Sequence, residues 1–146
     1  MLRNSSKKTV VRVAALALAL VLVVAGCMSE GQTAVQNEMN ADRKEHGLRS
    51  LPTHDQLNAK AQAWAEKLAR DGKLSHSTLT SGVPSCWRSL GENVGYGSSA
   101  AAVQEAYMNS QGHRDNILQS KWKWVGVGYA TAGRRVYTVQ VFMQGC

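Results

Sequence analysis

Hydrophobic and polar positions follow two different periods along this chain. Between Asp55 and Asp71, the residues Leu57, Ala61, Trp64, Ala65 and Leu68 recur at helical spacing, and Gly72 supplies a stop. This pattern predicts an amphipathic helix whose stripe is core. An earlier helix is predicted from about Ala34 to His46, with Val35 and Met39 on one face and Gly47 after its end. Pro52 then breaks any continuation. Ser98 or Ser99 caps a third predicted helix, Ala100 to Asn109. Gly112 interrupts, and a short helix is predicted from His113 to Gln119. Met39 and Met108 read as core fillers.

The period changes near the C-terminal end. Val125–Ala130 and Val136–Met143 predict a β-hairpin with Gly133 in its loop. Tyr137, Val139, Val141 and Met143 alternate with Val136, Thr138, Gln140 and Phe142, so apolar side chains fall on both faces. Such a hairpin is expected between layers of helix. Residues 73–90 are rich in Ser, Thr, Gly and Pro and read as loop. Gly91–Gly97 reads as a glycine-punctuated turn or short strand. It lacks the GxGxxG order and the Lys-Ser/Thr ending of a phosphate loop. The fold class is therefore α+β, helices packed on a small antiparallel sheet.

The N-terminal segment has a different logic. Arg3, Lys7, Lys8 and Arg12 precede an apolar run of thirteen residues, Val13–Ala25. That run is short for a membrane span, which needs roughly 18 residues or more. It suits the apolar region of an export signal. The run ends Val24-Ala25-Gly26-Cys27, which resembles a bacterial lipobox. Residues 1–26 are thus expected to be a lipoprotein signal peptide. Residues 27–33 are expected to hold the lipidated Cys27 and a short polar tether, and residues 34–146 the domain. An extracytoplasmic protein, held at a bacterial membrane by the lipid on Cys27, follows from this reading.

Composition then changes the picture twice. The 146 residues carry a formal charge of +7. The four basic residues of the signal account for part of it, and the remainder holds 13 basic and 10 acidic side chains, a formal +3. With no cluster of Lys and Arg, nucleic-acid binding is discarded. Hydrophobic residues at 44% suffice for a core and exclude a wholly disordered chain. Three cysteines are too few for a disulfide-dense scaffold. Once Cys27 is set aside, Cys86 and Cys146 are left in an oxidising compartment and are expected to pair. Closing so long a loop contributes about 4 kcal/mol in the chain-entropy model.

Candidate chemistry rests on His76, Glu92 and His113. His46 reads as a cation at a helix end, and His54 as an exposed residue beside a helix start. His76 and His113 each sit by a Gly/Ser turn, outside any apolar stripe. Glu92 lies in an otherwise apolar segment, where a carboxylate needs partners to be buried. Two imidazoles and a carboxylate are a possible metal set, but no HExxH is present and the spacing is not diagnostic. Ser110 stands three residues before His113, yet no GxSxG elbow accompanies it. Trp87, Trp122 and Trp124 either line an apolar pocket or pack.

The segments Leu57-(x)6-Trp64-Ala65-(x)2-Leu68, Gly72-Lys-Leu-Ser-His76-Ser77 and Gly91-Glu92-Asn93-Val94 stand in a telling order. They are followed by Tyr107-Met-Asn-Ser110-Gln-Gly-His113-Arg-Asp-Asn116-Ile-Leu118 and Val125-Gly-Val-Gly-Tyr129. Together they resemble the CAP, or SCP, superfamily of cysteine-rich secretory, antigen-five and pathogenesis-related proteins, in its bacterial secreted branch, from about Thr33 to Met143. The resemblance implies an α-β-α sandwich and a cleft with a His-Glu-Glu-His tetrad. His76, Glu92 and His113 match three of the four. Tyr107 stands at the family Trp position and Ser110 at the second Glu, which weakens any hold on a cation such as Zn2+. Ser110, Asn93 and Asn116 are supporting polar positions. The resemblance implies a non-enzymatic binding module for a lipid, another apolar ligand or an envelope partner. The alternatives are a metal-dependent envelope hydrolase or peptidase and a purely structural or interaction domain.

Overall fold

The computed structural model describes residues 27–146, so the signal-peptide reading of residues 1–26 lies outside the described residues. In chain order the elements are α1 (Glu30–Glu45), α2 (Asp55–Asp71), β1 (Trp87–Gly97), α3 (Ala100–Met108) and α4 (Gln111–Ile117). The strands β2 (Trp124–Ala132) and β3 (Arg135–Gly145) complete the chain.

The α2 boundaries coincide with the predicted ones. His54 caps its start, its Nδ1 accepting from the Gln56 N–H at 3.2 Å, so this residue is half-buried and bonded rather than simply exposed. Gly72 ends the helix at φ +63, a left-handed conformation that only glycine adopts without strain. By contrast, α1 begins at Glu30, inside the expected tether. Ser29 and Gln32 form a reciprocal capping box there, and Gln32 is buried with its Nε2 donating to Val127 O at 2.8 Å. Ser99 is the α3 cap and accepts from the Ala102 N–H. The α4 helix starts at Gln111 rather than His113, with Gly112 in its first turn.

The hairpin β2–β3 turns at Gly133-Arg134, where Gly133 has φ +59, as the first position of a type II′ turn requires. The sheet order is β1-β3-β2, antiparallel throughout. The predicted loop 73–90 therefore ends earlier: Trp87–Leu90 join β1, pairing with the last residues of β3. Cys86 and Cys146, bonded to one another, lie just beyond that end of the ladder. Local composition could not reveal this strand, because its partner is distant in sequence.

Side chains of a strand alternate between faces, and β3 uses both. Tyr137, Val139, Val141 and Met143 pack with Leu57, Ala61, Ala65 and Leu68 of α2. On the other face Phe142, with Val125 and Val127, packs with Val35 and Met39 of α1, Val103 and Tyr107 of α3, and Ile117 at the end of α4. The result is a three-layer α-β-α sandwich. Among the described residues, both cores are built from side chains between Met28 and Met143.

The outer edge of β2 is closed at Val125 by the main chain of Pro52 and His54, and beyond it by side chains of α2. Asn58 Oδ1 accepts from the Val127 N–H and Gln62 Oε1 from the Tyr129 N–H, both at 3.0 Å. Gln62 Nε2 donates to Tyr129 O at 2.9 Å. Asn58 and Gln62 are one helical turn apart, so α2 satisfies the strand at two successive outward-facing residues. This requires the helix to lie very close to the strand, and Gly126 and Gly128 are where it does so.

Candidate functional site

β1 positions the site residues by alternation. Glu92 points toward the segment that follows α2, and Asn93 toward α3 and α4. Glu92 is 7% exposed. Its Oε1 accepts from the Ser77 backbone N–H at 2.9 Å and contacts His76 Nδ1 at 2.7 Å, while its Oε2 accepts from the Ser77 hydroxyl at 2.5 Å. A carboxylate can only accept, so His76 donates through Nδ1 and leaves Nε2 outward. The His76 side chain is 64% exposed. This is how the buried acid acquires the partners that its sequence context demanded.

His113 sits in the first half of α4. Its Nδ1 is 2.8 Å from Ser110 Oγ, and its ring packs on Tyr107 with centroids 4.9 Å apart. Ser110 is the α4 N-cap, but its hydroxyl makes no capping bond and is turned to His113 instead. The Tyr107 hydroxyl donates into Thr138 of β3 at 3.0 Å, and burial pushes its pKa far above the ordinary value. Tyr107 is therefore a neutral wall that fixes the imidazole. Burial, then the neighbouring His76, lowers the His113 pKa.

That shift has a consequence for stability. The unfolded imidazole titrates near the ordinary 6.5, and the folded one below it. Between these values the unfolded chain binds more protons. The stability due to neutral His113 is full above about 6.5 and is lost as pH falls through the lowered value. Urea titrations at pH 7.5 and pH 5.0 should show a stability loss that is smaller in His113→Asn. An equal loss in both proteins would refute the assignment.

Asn93 and Asn116 brace this arrangement. Asn93 Nδ2 donates to His113 O and to Gln140 Oε1, each at 3.1 Å, and its Oδ1 accepts from Asn116 Nδ2 at 3.0 Å. Asn116 also reaches Glu92 O at 3.3 Å. The chain of amides continues inward: Gln140 Nε2 donates to Gln104 Oε1 at 2.8 Å, and Gln104 Nε2 to Asp42 Oδ2 at 2.6 Å. Sequence reading missed Asp42, Gln104 and Gln140. The available signal was a Gln in the middle of an apolar strand, which must find partners when buried.

The predicted trio is thus divided into two hydrogen-bonded pairs, His76–Glu92 and His113–Ser110. Among the described residues no three His, Cys, Asp or Glu side chains gather as metal ligands. Catalytic zinc takes three protein ligands and an open position, and here the Glu92 oxygens are already engaged by His76 and Ser77. Trp122 is buried against Phe142, whereas Trp87 and Trp124 are each 37% exposed. Cys27 is exposed and unpaired among the described residues.

With this geometry in hand, the comparisons are specific. Residues 36–143 match the cysteine-rich secretory protein family, CAP. The Bacillus subtilis (strain 168) protein YkwD is 32% identical over 103 residues, covering 64% of this chain and 40% of that protein's length. An outer surface protein from Borrelia burgdorferi superposes with a TM-score of 0.70 at 19% identity, over 81% of this chain and 95% of that one. An extracellular SCP-domain protein from Bacillus anthracis superposes at 0.65 with 23% identity, over 82% of this chain and 45% of that one.

Proposed function

Since the chain belongs to the cysteine-rich secretory protein (CAP) family, we propose that it works outside the cytoplasm as a non-enzymatic binding module for a lipid or other apolar ligand, tethered to a membrane through lipidated Cys27. The tether reading rests on the apolar run and the Val24-Ala25-Gly26-Cys27 sequence. The exposed position of Cys27 at the edge of the folded domain is compatible with it. The Bacillus anthracis neighbour is an extracellular protein, which supports the compartment.

The observation that carries the binding reading is the state of Glu92. Both its oxygens are engaged by His76 and Ser77, and a hydroxyl, Ser110, is the partner of His113. Glu92 is thus spent on holding His76 and Ser77 rather than standing free as a base toward water. The cleft braces the segment after α2 against β1. The hydrolase reading retains one support: His76 Nε2 is free, and a carboxylate behind it at Nδ1 is the usual outer-shell arrangement of a ligating His.

The test uses residues 27–146 carrying Cys27→Ser, with a fluorescent fatty-acid probe in the presence and absence of EDTA. The expected result is saturable binding that chelation leaves unchanged. Calorimetric titration of Zn2+ into the same protein and into its His76→Ala/His113→Ala variant supplies the opposing arm. Micromolar zinc binding lost in the variant, with zinc-dependent peptide or ester turnover and no probe binding, would replace this reading with the hydrolase.

A further inference from the structure

A groove of about 590 Å3 opens where the chain enters α2 and where β2 and β3 approach the Cys86–Cys146 disulfide. It shares no lining residue with His76, Glu92 or His113. Its apolar lining is Pro52, Pro84, Trp124 and Met143, together with the disulfide. Arg49, Lys123 and His54 complete the wall; among the described residues no carboxylate side chain belongs to it, and the one acidic group carried by a lining residue is the main-chain carboxylate of Cys146. A volume of this size, mostly apolar with a few polar groups to one side, is typical of a small-molecule site.

The groove is held open by its own contacts. His54 meets Trp124 edge to face, with ring centroids 5.7 Å apart, and His54 is itself fixed as the α2 cap. Arg49 donates through Nη2 to Trp122 O at 2.7 Å, which orients the guanidinium and leaves further N–H groups to spare. Neither Arg49 nor Lys123 pairs with a carboxylate among the described residues. The positive end of α2 adds to the same field. Asp55, in the first turn of α2, lines a separate depression beside Cys27.

An indole wall alone would suit any apolar molecule, and two unpaired cations alone any anion. Their coincidence selects a molecule with both parts. We propose that this groove binds a free single-chain anionic amphiphile, its head on Arg49 and Lys123 and its chain along Trp124, Met143, Pro52 and Pro84. The proposal rests on the binding-module reading and adds to it the site and the charge of the ligand.

Calorimetry on residues 27–146 with Cys27→Ser tests it, using dodecanoate, dodecyltrimethylammonium and acetate, each as monomers. Dodecanoate is expected to bind saturably, with the cation and acetate at least ten-fold weaker. Trp124→Ala and Lys123→Glu should each weaken dodecanoate at least ten-fold at unchanged melting temperature, while Lys73→Glu, a similar charge change elsewhere, should not. Equal affinity for the cationic amphiphile, or full affinity in both groove variants, overturns this site and leaves the binding-module reading standing. Binding to anionic vesicles without binding of dodecanoate overturns it in favour of a membrane contact. Failure to bind any amphiphile overturns both readings.

Discussion

Gly128→Ala is expected to be among the most damaging single-methyl additions in this protein, and Gly126→Ala close behind it. A Cβ at Gly128 would stand 2.1 Å from the carbonyl oxygen of Ala61, and one at Gly126 2.2 Å from the carbonyl carbon and oxygen of Leu57. These neighbours are backbone, so no rotamer change relieves the clash. The α2 helix would have to lift from the sheet. Lifting it separates Asn58 and Gln62 from the β2 edge, which strips hydrogen bonds from Val127 and Tyr129. It also loosens the core that Leu57, Ala61, Ala65 and Leu68 form with β3. Overpacking costs about 1–3 kcal/mol, occasionally more, and overlap with backbone puts both positions at the upper end, against a typical domain stability of about 5–15 kcal/mol. The double variant should therefore be unfolded at 25 °C by near-UV circular dichroism. Gly112→Ala is the control: a Cβ there meets nothing within 4 Å, and it lies in a helix, so it should be neutral or stabilising by about 0.5 kcal/mol. A cooperative, near-native melt for Gly128→Ala would show that the helix is not pinned to the strand.

Arg43→Met should cost about 3 kcal/mol or more, by a different mechanism. Arg43 is fully buried. Its Nε donates to Arg49 O at 3.0 Å, and its Nη1 to Ile117 O at 2.6 Å and Gln119 O at 3.0 Å. It thus ties the end of α1 to the carbonyls that α4 exposes at its C-terminus. Among the described residues it has no carboxylate partner, and burial, reinforced by Arg49, lowers its pKa. Methionine fills much of the space but leaves three carbonyls without donors, each costing about 1–3 kcal/mol. Lysine keeps the charge yet cannot span three acceptors in a fixed plane, so Arg43→Lys should rescue only part of the loss. Urea midpoints of the two variants measure this directly, and a stability change below about 1 kcal/mol in Arg43→Met would refute the tie.

Arg43 also shows where pattern reading stops. Val35, Met39 and Arg43 lie at helical spacing on one buried face of α1, and nothing local marks the last of them, a charged residue in the final turn, for burial. Its burial depends on α4, which follows in the chain only after a helix, a strand and a further helix. Trp87–Leu90 read as loop for the same reason, since their strand exists only through β3. Ser29 and Gln32 are the opposite case. The capping box was written in the sequence, and taking residues 28–33 for a polar tether overlooked it.

The candidate site divides along the same line. That Glu92 would need partners, and that His76 and His113 differ in kind from His46 and His54, followed from local chemistry and from the family resemblance. Which partners they take did not follow. Ser77 holds Glu92, and Ser110 and Tyr107 hold His113, because the sheet brings the end of α2 and the turn between α3 and α4 to opposite faces of β1. The amide chain from Asp42 to Asn116 crosses elements that no spacing rule connects.

By itself, then, the sequence determined the periodic elements, their caps and stops, the two-faced hairpin and the membership of Cys86 and Cys146 in one pair. Each depends on residues that are near in the chain or on chemistry that a residue carries anywhere. The tertiary structure alone decided that the strand with Glu92 lies beside β3, that Gly126 and Gly128 admit α2, and that Arg43 and the amide chain are buried. It also decided that Trp124 lines an open groove together with Arg49 and Lys123. These are contacts between distant segments, and burial and electrostatic environment arise only when the segments meet.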